Sequence, residues 1–114
     1  MLRMGLLSVA HLHADGYVGA LRDLPGVEFV GFADEDQTRG EAFARQHQTH
    51  FYPTYQALLA DNINGVVICS ENSRHLPLIE LAAAARVGIL CEKPLATTLS
   101  DAERAVQVCD QAGV

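Results

Sequence analysis

An α/β fold, a doubly wound and mainly parallel sheet with helices on both faces, is what this 114-residue chain predicts. Two observations carry the prediction. Short apolar runs alternate with longer amphipathic ones, five β-then-α units in all, with no internal repeat or low-complexity tract between them. The connections are short, and a parallel neighbour is reached through a crossover that is almost always right-handed, which distributes the helices over both faces.

Residues 4–10 (MGLLSVA) read as the first buried strand. A polar loop over 11–16 leads to a helix that Pro25-Gly26 ends. Residues 27–33 (VEFVGFA) form the second strand, and Asp34-Glu35-Asp36 places acidic residues at the start of the next helix, favourable against the positive end of its dipole. That helix runs to about Gln48. The third strand is short, centred on Phe51-Tyr52, and Tyr55, Leu58 and Leu59 recur at helical spacing after it. Residues 65–70 (GVVICS) show almost no polar alternation, as a strand covered on both faces requires. An alanine-rich helix follows Asn72 and runs to about Arg86, then residues 88–91 (GILC) make a fifth strand. Thr98 or Ser100 caps the last helix, Glu103 lying in capping-box spacing from Ser100.

Composition narrows the class of protein. Hydrophobic residues make up 49% of the chain, enough for one globular domain over 1–114 with a real core and too short for a second. The formal net charge of −6 and the absence of a Lys/Arg cluster argue against nucleic acid as a partner. No apolar stretch approaches the roughly 20 residues of a membrane span, and no signal-peptide pattern opens the chain. A soluble, cytoplasmic protein is expected. Cys69, Cys91 and Cys109 are an odd number without paired zinc-site spacing, so they read as reduced thiols, Cys69 and Cys91 as small buried hydrophobes.

In such sheets ligands bind beyond the carboxyl ends of the strands, where strand order reverses, and the loops at 8–13, 34–36, 70–75 and 92–94 all lie at that edge. The first strand-to-helix turn is where a Rossmann-type domain holds the pyrophosphate of a dinucleotide, using glycines for close approach. Here the expected G-x-G-x-x-G reads Ser8-Val9-Ala10-His11-Leu12-His13. Small side chains at Ser8 and Ala10 still permit approach, and Ser8 can donate a hydrogen bond to phosphate; a weaker or shifted grip is expected. His11 and His13 lie beside the phosphates or serve only as loop polarity. The third ligand that a metal site needs has only His75 as candidate, on another loop, and no metal site is predicted.

Asp34 ends the second strand, where a carboxylate accepts hydrogen bonds from the adenosine ribose hydroxyls and repels a 2′-phosphate. NAD is thereby favoured over NADP, although Arg39 nearby can neutralise such a phosphate. Asp34 as helix N-cap is the plainer alternative. Glu92-Lys93-Pro94 follows the fifth strand. A lysine at that edge can donate to a substrate hydroxyl or carbonyl and polarise it for hydride transfer, and Pro94 forces Lys93 extended and allows a cis bond. A merely charged loop is the competing reading.

Five blocks in order, Leu24-Pro25-Gly26-Val27-Glu28, Phe32-Ala33-Asp34, residues 55–61 (YQALLAD), 67–75 (VICSENSRH) and 90–96 (LCEKPLA), resemble the amino-terminal domain of the Gfo/Idh/MocA family of oxidoreductases, along essentially the whole chain. Members usually carry a Thr-Pro-Asn-x-x-His run after the fourth strand; Ser70, Asn72 and His75 match it, with Glu71 in place of proline. The resemblance implies that Cys69, Ser70, Asn72 and His75 line the cofactor, that Glu92, Lys93 and Pro94 face the nicotinamide with Lys93 catalytic, and that Asp34, Glu35 and Arg39 meet the adenosine ribose. Ser8, Ala10, His11 and Leu12 carry over from the departed glycine loop.

It also implies a further α/β domain that binds a sugar, cyclitol or similar substrate. The chain stops near where a sixth strand would begin, so it is read as a fragment, inactive alone, with self-association through the exposed edge expected. A nucleotide-binding or regulatory module without catalysis is the rival reading.

Overall fold

The computed structural model describes all residues, Met1–Val114, as one five-stranded, wholly parallel sheet. Strands β1 (Leu2–Leu7), β2 (Val27–Ala33), β3 (Phe51–Tyr52), β4 (Gly65–Ile68) and β5 (Gly88–Cys91) lie in the order β3-β2-β1-β4-β5. The order reverses between β1 and β4, which puts a crevice at their carboxyl ends.

Neighbouring residues on each strand face opposite layers, the period-2 consequence of strand geometry. Leu6, Phe32 and Val67 pack against α1 (Ala14–Asp23) and α2 (Gln37–His47) through Val18, Leu21 and Phe43. Leu7, Ala33, Val66 and Ile68 face the other layer, made by α3 (Tyr55–Leu59), α4 (His75–Ala84) and α5 (Leu99–Ala112), with Leu58, Leu78, Ile79 and Ala105 closing on them. Two glycines are required by this packing. Gly31 sits at φ 138° beside a skip in the β1–β2 register, and Gly40 lets α2 approach the Phe51 ring where a Cβ has no room.

The predicted elements are all present, with shifted ends. β1 stops at Leu7 rather than at residue 10 because Ser8 turns into the left-handed region at φ 69°, leaving the ladder. β4 likewise ends at Ile68. Thr98, not Ser100, caps α5, its hydroxyl accepting from Asp101 N–H, and Asp36 rather than Asp34 caps α2, accepting from Arg39 N–H. A single 3₁₀ turn (Asn72–Arg74) precedes α4.

Candidate functional site

The carboxyl edge has two sides. On the β2 side Asp34 is the centre, its side chain wholly buried. Oδ2 accepts from Val9 N–H at 2.8 Å and from the Ser8 hydroxyl at 3.3 Å; Oδ1 accepts from Asp36 N–H at 2.8 Å. Arg39 completes the shell through Nε at 3.2 Å and Nη2 at 2.7 Å, a bidentate pair that raises the arginine's own pKa, the hydrogen bond to Asp34 being the main cause. Asp34 thus ties the first loop to α2.

Two expectations change here. Ser8 Oγ donates to Asp34 and accepts from Ala10 N–H, and Ser8 is fully buried, so its hydroxyl faces no phosphate. Asp34, read either as ribose ligand or as N-cap, is not the cap, and its oxygens are engaged within the protein. Glu35 remains exposed and pairs with Arg74 at 3.5 Å, joining the β2 loop to the 3₁₀ turn. Glu35, Ser70 and Arg74 line a small pocket there with Tyr55, whose hydroxyl burial pushes up to about 12.

The first loop is largely self-satisfied. Val9 and Ala10 N–H groups are taken as above, His11 N–H donates to Cys69 O at 2.9 Å, and His13 N–H donates to His11 Nδ1 at 3.0 Å. Leu12 is exposed, its N–H without a protein acceptor, and His13 gives α1 no side-chain cap. Ala14 N–H donates to His11 O and Tyr17 N–H to His13 O, so the free backbone donors for an anion are Leu12, Asp15 and Gly16 N–H.

On the β5 side the centre is Glu92, also buried. Its Oε1 accepts from His13 Nδ1–H at 2.8 Å and from the Tyr17 hydroxyl at 3.0 Å, and Oε2 accepts from Lys93 N–H at 3.1 Å. The His13 bond, chiefly, holds the Glu92 carboxyl below the usual carboxylate range; partial burial and this carboxylate push Tyr17 up. Lys93 is exposed, and the Lys93–Pro94 peptide is cis. Pro94 O accepts from His75 Nδ1–H at 2.7 Å. His75 is 0% exposed and its Nε2 has no partner, so it lies beneath the Lys93 loop instead of lining the surface. An open cleft of about 340 Å³ runs between Leu12, His13, Gly16, Tyr17, Ala20 and Glu92.

Cys69 is fully buried, its thiol pushed up to about 12 by desolvation, and Cys91 to about 11, so both are inert at neutral pH. Cys69 serves the site through its carbonyl, on His11 N–H. Asn72 is exposed and opens the 3₁₀ turn; Ser70 is buried with its hydroxyl donating to Glu71 O. Sequence reasoning missed Tyr17. Its signal was the i, i+4 spacing from His13, which puts both on one face of α1.

A parallel sheet in the order 3-2-1-4-5, with its crevice at the β1/β4 reversal and its polar groups gathered there, defines a dinucleotide-binding α/β domain. The chain matches the oxidoreductase family Gfo/Idh/MocA, NAD-binding Rossmann fold, over residues 8–114, and it belongs to that family. It is 37% identical to the D-apiose dehydrogenase of Paraburkholderia graminis, covering 100% of this chain and 29% of that enzyme. Among solved structures it resembles the WlbA dehydrogenase of Bordetella pertussis in complex with NADH and UDP-GlcNAcA (TM-score 0.88, 25% identity, 99% of this chain, 35% of that one). It also resembles KijD10, a 3-ketoreductase from Actinomadura kijaniata with NADP and TDP-benzene (TM-score 0.85, 27% identity, 99% and 35%). The chain therefore spans about a third of the length of these relatives, and nicotinamide cofactors of both kinds occur among its neighbours. No helix is long and apolar enough to cross a membrane.

Proposed function

We propose that this domain holds the nicotinamide dinucleotide of a cytoplasmic dehydrogenase or reductase that moves hydride to or from a hydroxyl or carbonyl carbon of a sugar, cyclitol or similar substrate. The observation that carries the proposal is the placement of Lys93 beside buried Glu92, at the carboxyl edge next to the first loop. Hydride addition to a carbonyl leaves negative charge on oxygen, and an ammonium there stabilises it and delivers the proton; in the reverse direction the amine accepts that proton. Glu92 fixes the Lys93 backbone through its N–H, and His75 fixes Pro94 O behind it.

The pyrophosphate is assigned to Leu12 N–H and the first turn of α1, beside Ala10 and His11. Ser70 and Asn72 border the crevice from β4. The adenosine ribose is assigned to the Asp34–Arg39 end with Glu35, and the cofactor to NAD: a 2′-phosphate placed there meets the Asp34 carboxylate, and drawing Arg39 onto it strips that buried carboxylate of its partner. Relatives are about three times as long, so we assign substrate choice to a second domain joined to this one and expect no turnover by residues 1–114 alone. Leu90, Leu99 and Val106, exposed near the β5 edge, support a homo-oligomer or that domain as their cover.

Calorimetric titration of the chain with NADH and NADPH tests the cofactor assignment: NADH binds more tightly, and equal or reversed preference overturns it. For catalysis, Lys93→Ala in the protein containing both domains is expected to lower kcat by about 10²-fold or more with NADH affinity retained. Unchanged kcat would remove Lys93 from the mechanism, and no hydride transfer at all by the unaltered protein containing both domains would favour a non-catalytic nucleotide-binding module, the reading to which the self-satisfied first loop lends support.

A further inference from the structure

We propose that His11, His13 and Glu92 bind one divalent transition-metal ion of zinc-like character at the cleft between the start of α1 and Glu92. Two segments almost eighty residues apart bring a nitrogen from each histidine and a carboxylate oxygen within 4.8 Å of one another. The His11 and His13 rings meet edge-on with centroids 4.5 Å apart. No other group of three such side chains in the chain converges in this way.

The carboxylate is already held in place. Glu92 is 7% exposed, and Tyr17 and Lys93 N–H each hold one of its oxygens, so little side-chain freedom is left for an ion to remove. His13 Nδ1 and Glu92 Oε1 share a proton across 2.8 Å. Nitrogen and oxygen ligands bound tetrahedrally to zinc at about 2.0–2.1 Å stand about 3.3–3.4 Å apart. An ion taking that proton's place therefore asks the pair to open by about half an ångström, and the proton leaves to solvent. The Tyr17 hydroxyl remains on Glu92 as the outer partner that orients a metal-binding carboxylate.

Donor chemistry selects the ion. Two imidazoles and one carboxylate suit zinc, cobalt, nickel or ferrous iron, while calcium and magnesium demand mostly oxygen ligands. Three protein ligands leave the remaining position open, as in sites that bind water or an anionic oxygen. The half-exposed His13 ring places that position toward solvent. The site stands whether or not the cofactor assignment above is right.

The test uses the untagged chain, stripped with chelator and exchanged into metal-free buffer, titrated with Co²⁺ by visible absorption and with Zn²⁺ by calorimetry. One ion per chain is expected, with Co²⁺ bands of low coordination number that Zn²⁺ abolishes. His13→Ala and Glu92→Gln, each checked for native circular dichroism, should weaken binding by more than the roughly 10–100-fold typical of outer-partner changes. The His50→Ala variant, just before the opposite edge strand β3, should bind as the parent chain does. Absence of saturable binding, binding unaltered by both site variants, equal loss in the control, or a thiolate charge-transfer band assigning the ion to cysteine would each overturn the proposal.

Discussion

Asp34 and Glu92 are both buried carboxylates at the carboxyl edge of the same sheet, yet their surroundings differ. Asp34 accepts five donors from the first loop and from α2, with a guanidinium clamped across it, and none of its side chain is exposed. Glu92 accepts three, and its neighbours His13 and Lys93 reach into solvent. The contrast teaches that the edge is closed around Asp34, where the network shapes the loop, and open around Glu92, where His13 and Lys93 meet solvent. Asp34 shapes the first loop: it pins Ser8 in a left-handed conformation that costs a non-glycine residue about 1–2 kcal/mol.

Breaking the closed side should have the largest effect. Asp34→Ala strands the Ser8 hydroxyl, two backbone N–H groups and Arg39, and is expected to cost about 3–5 kcal/mol in urea unfolding; a loss under about 1 kcal/mol would show that the network does not shape the loop. Alkaline titration separates the buried groups next. Cys69 and Cys91 have folded pKa values near 12 and 11 against an ordinary 9.0, and Tyr52 and Tyr55 near 12 against 10.0. The folded state binds protons more tightly, so stability is full below about pH 9 and falls as pH rises toward 12. Rising urea midpoints over that range would contradict these shifts. Cys109, more weakly raised, should be alkylated first.

Smaller effects sharpen the comparison. Ser8→Ala keeps the strained φ and loses two hydrogen bonds, whereas Ser8→Gly loses the bonds and relieves the φ; the glycine variant should be the more stable of the two by about 1 kcal/mol. On the open side, Tyr17→Phe removes one hydrogen bond to a carboxylate and should cost about 1–2 kcal/mol. Lys93→Ala should leave stability within about 0.5 kcal/mol while lowering hydride transfer by about 10²-fold or more in a protein containing both proposed domains.

The strand-by-strand alternation, the parallel sheet, helices on both faces and the edge to which 8–13, 34–36, 70–75 and 92–94 belong were all legible in the linear order of residues, because apolar periodicity and short connections leave few topologies open. The family followed from five blocks of motif in order. What the order of residues leaves open is which polar atom meets which. Asp34 has the same composition around it whether it caps α2, binds ribose or clamps Arg39, and only the tertiary structure assigns the cap to Asp36. His75 reads as a surface ligand until α4 buries it under Pro94. Glu92 lies 79 positions from His13, and the two meet because β5 and β1 flank β4 in one sheet. Local sequence determines periodicity; the choice among candidate caps and the partners of buried polar groups are decided by the folded structure, where unsatisfied donors cost more than any local preference.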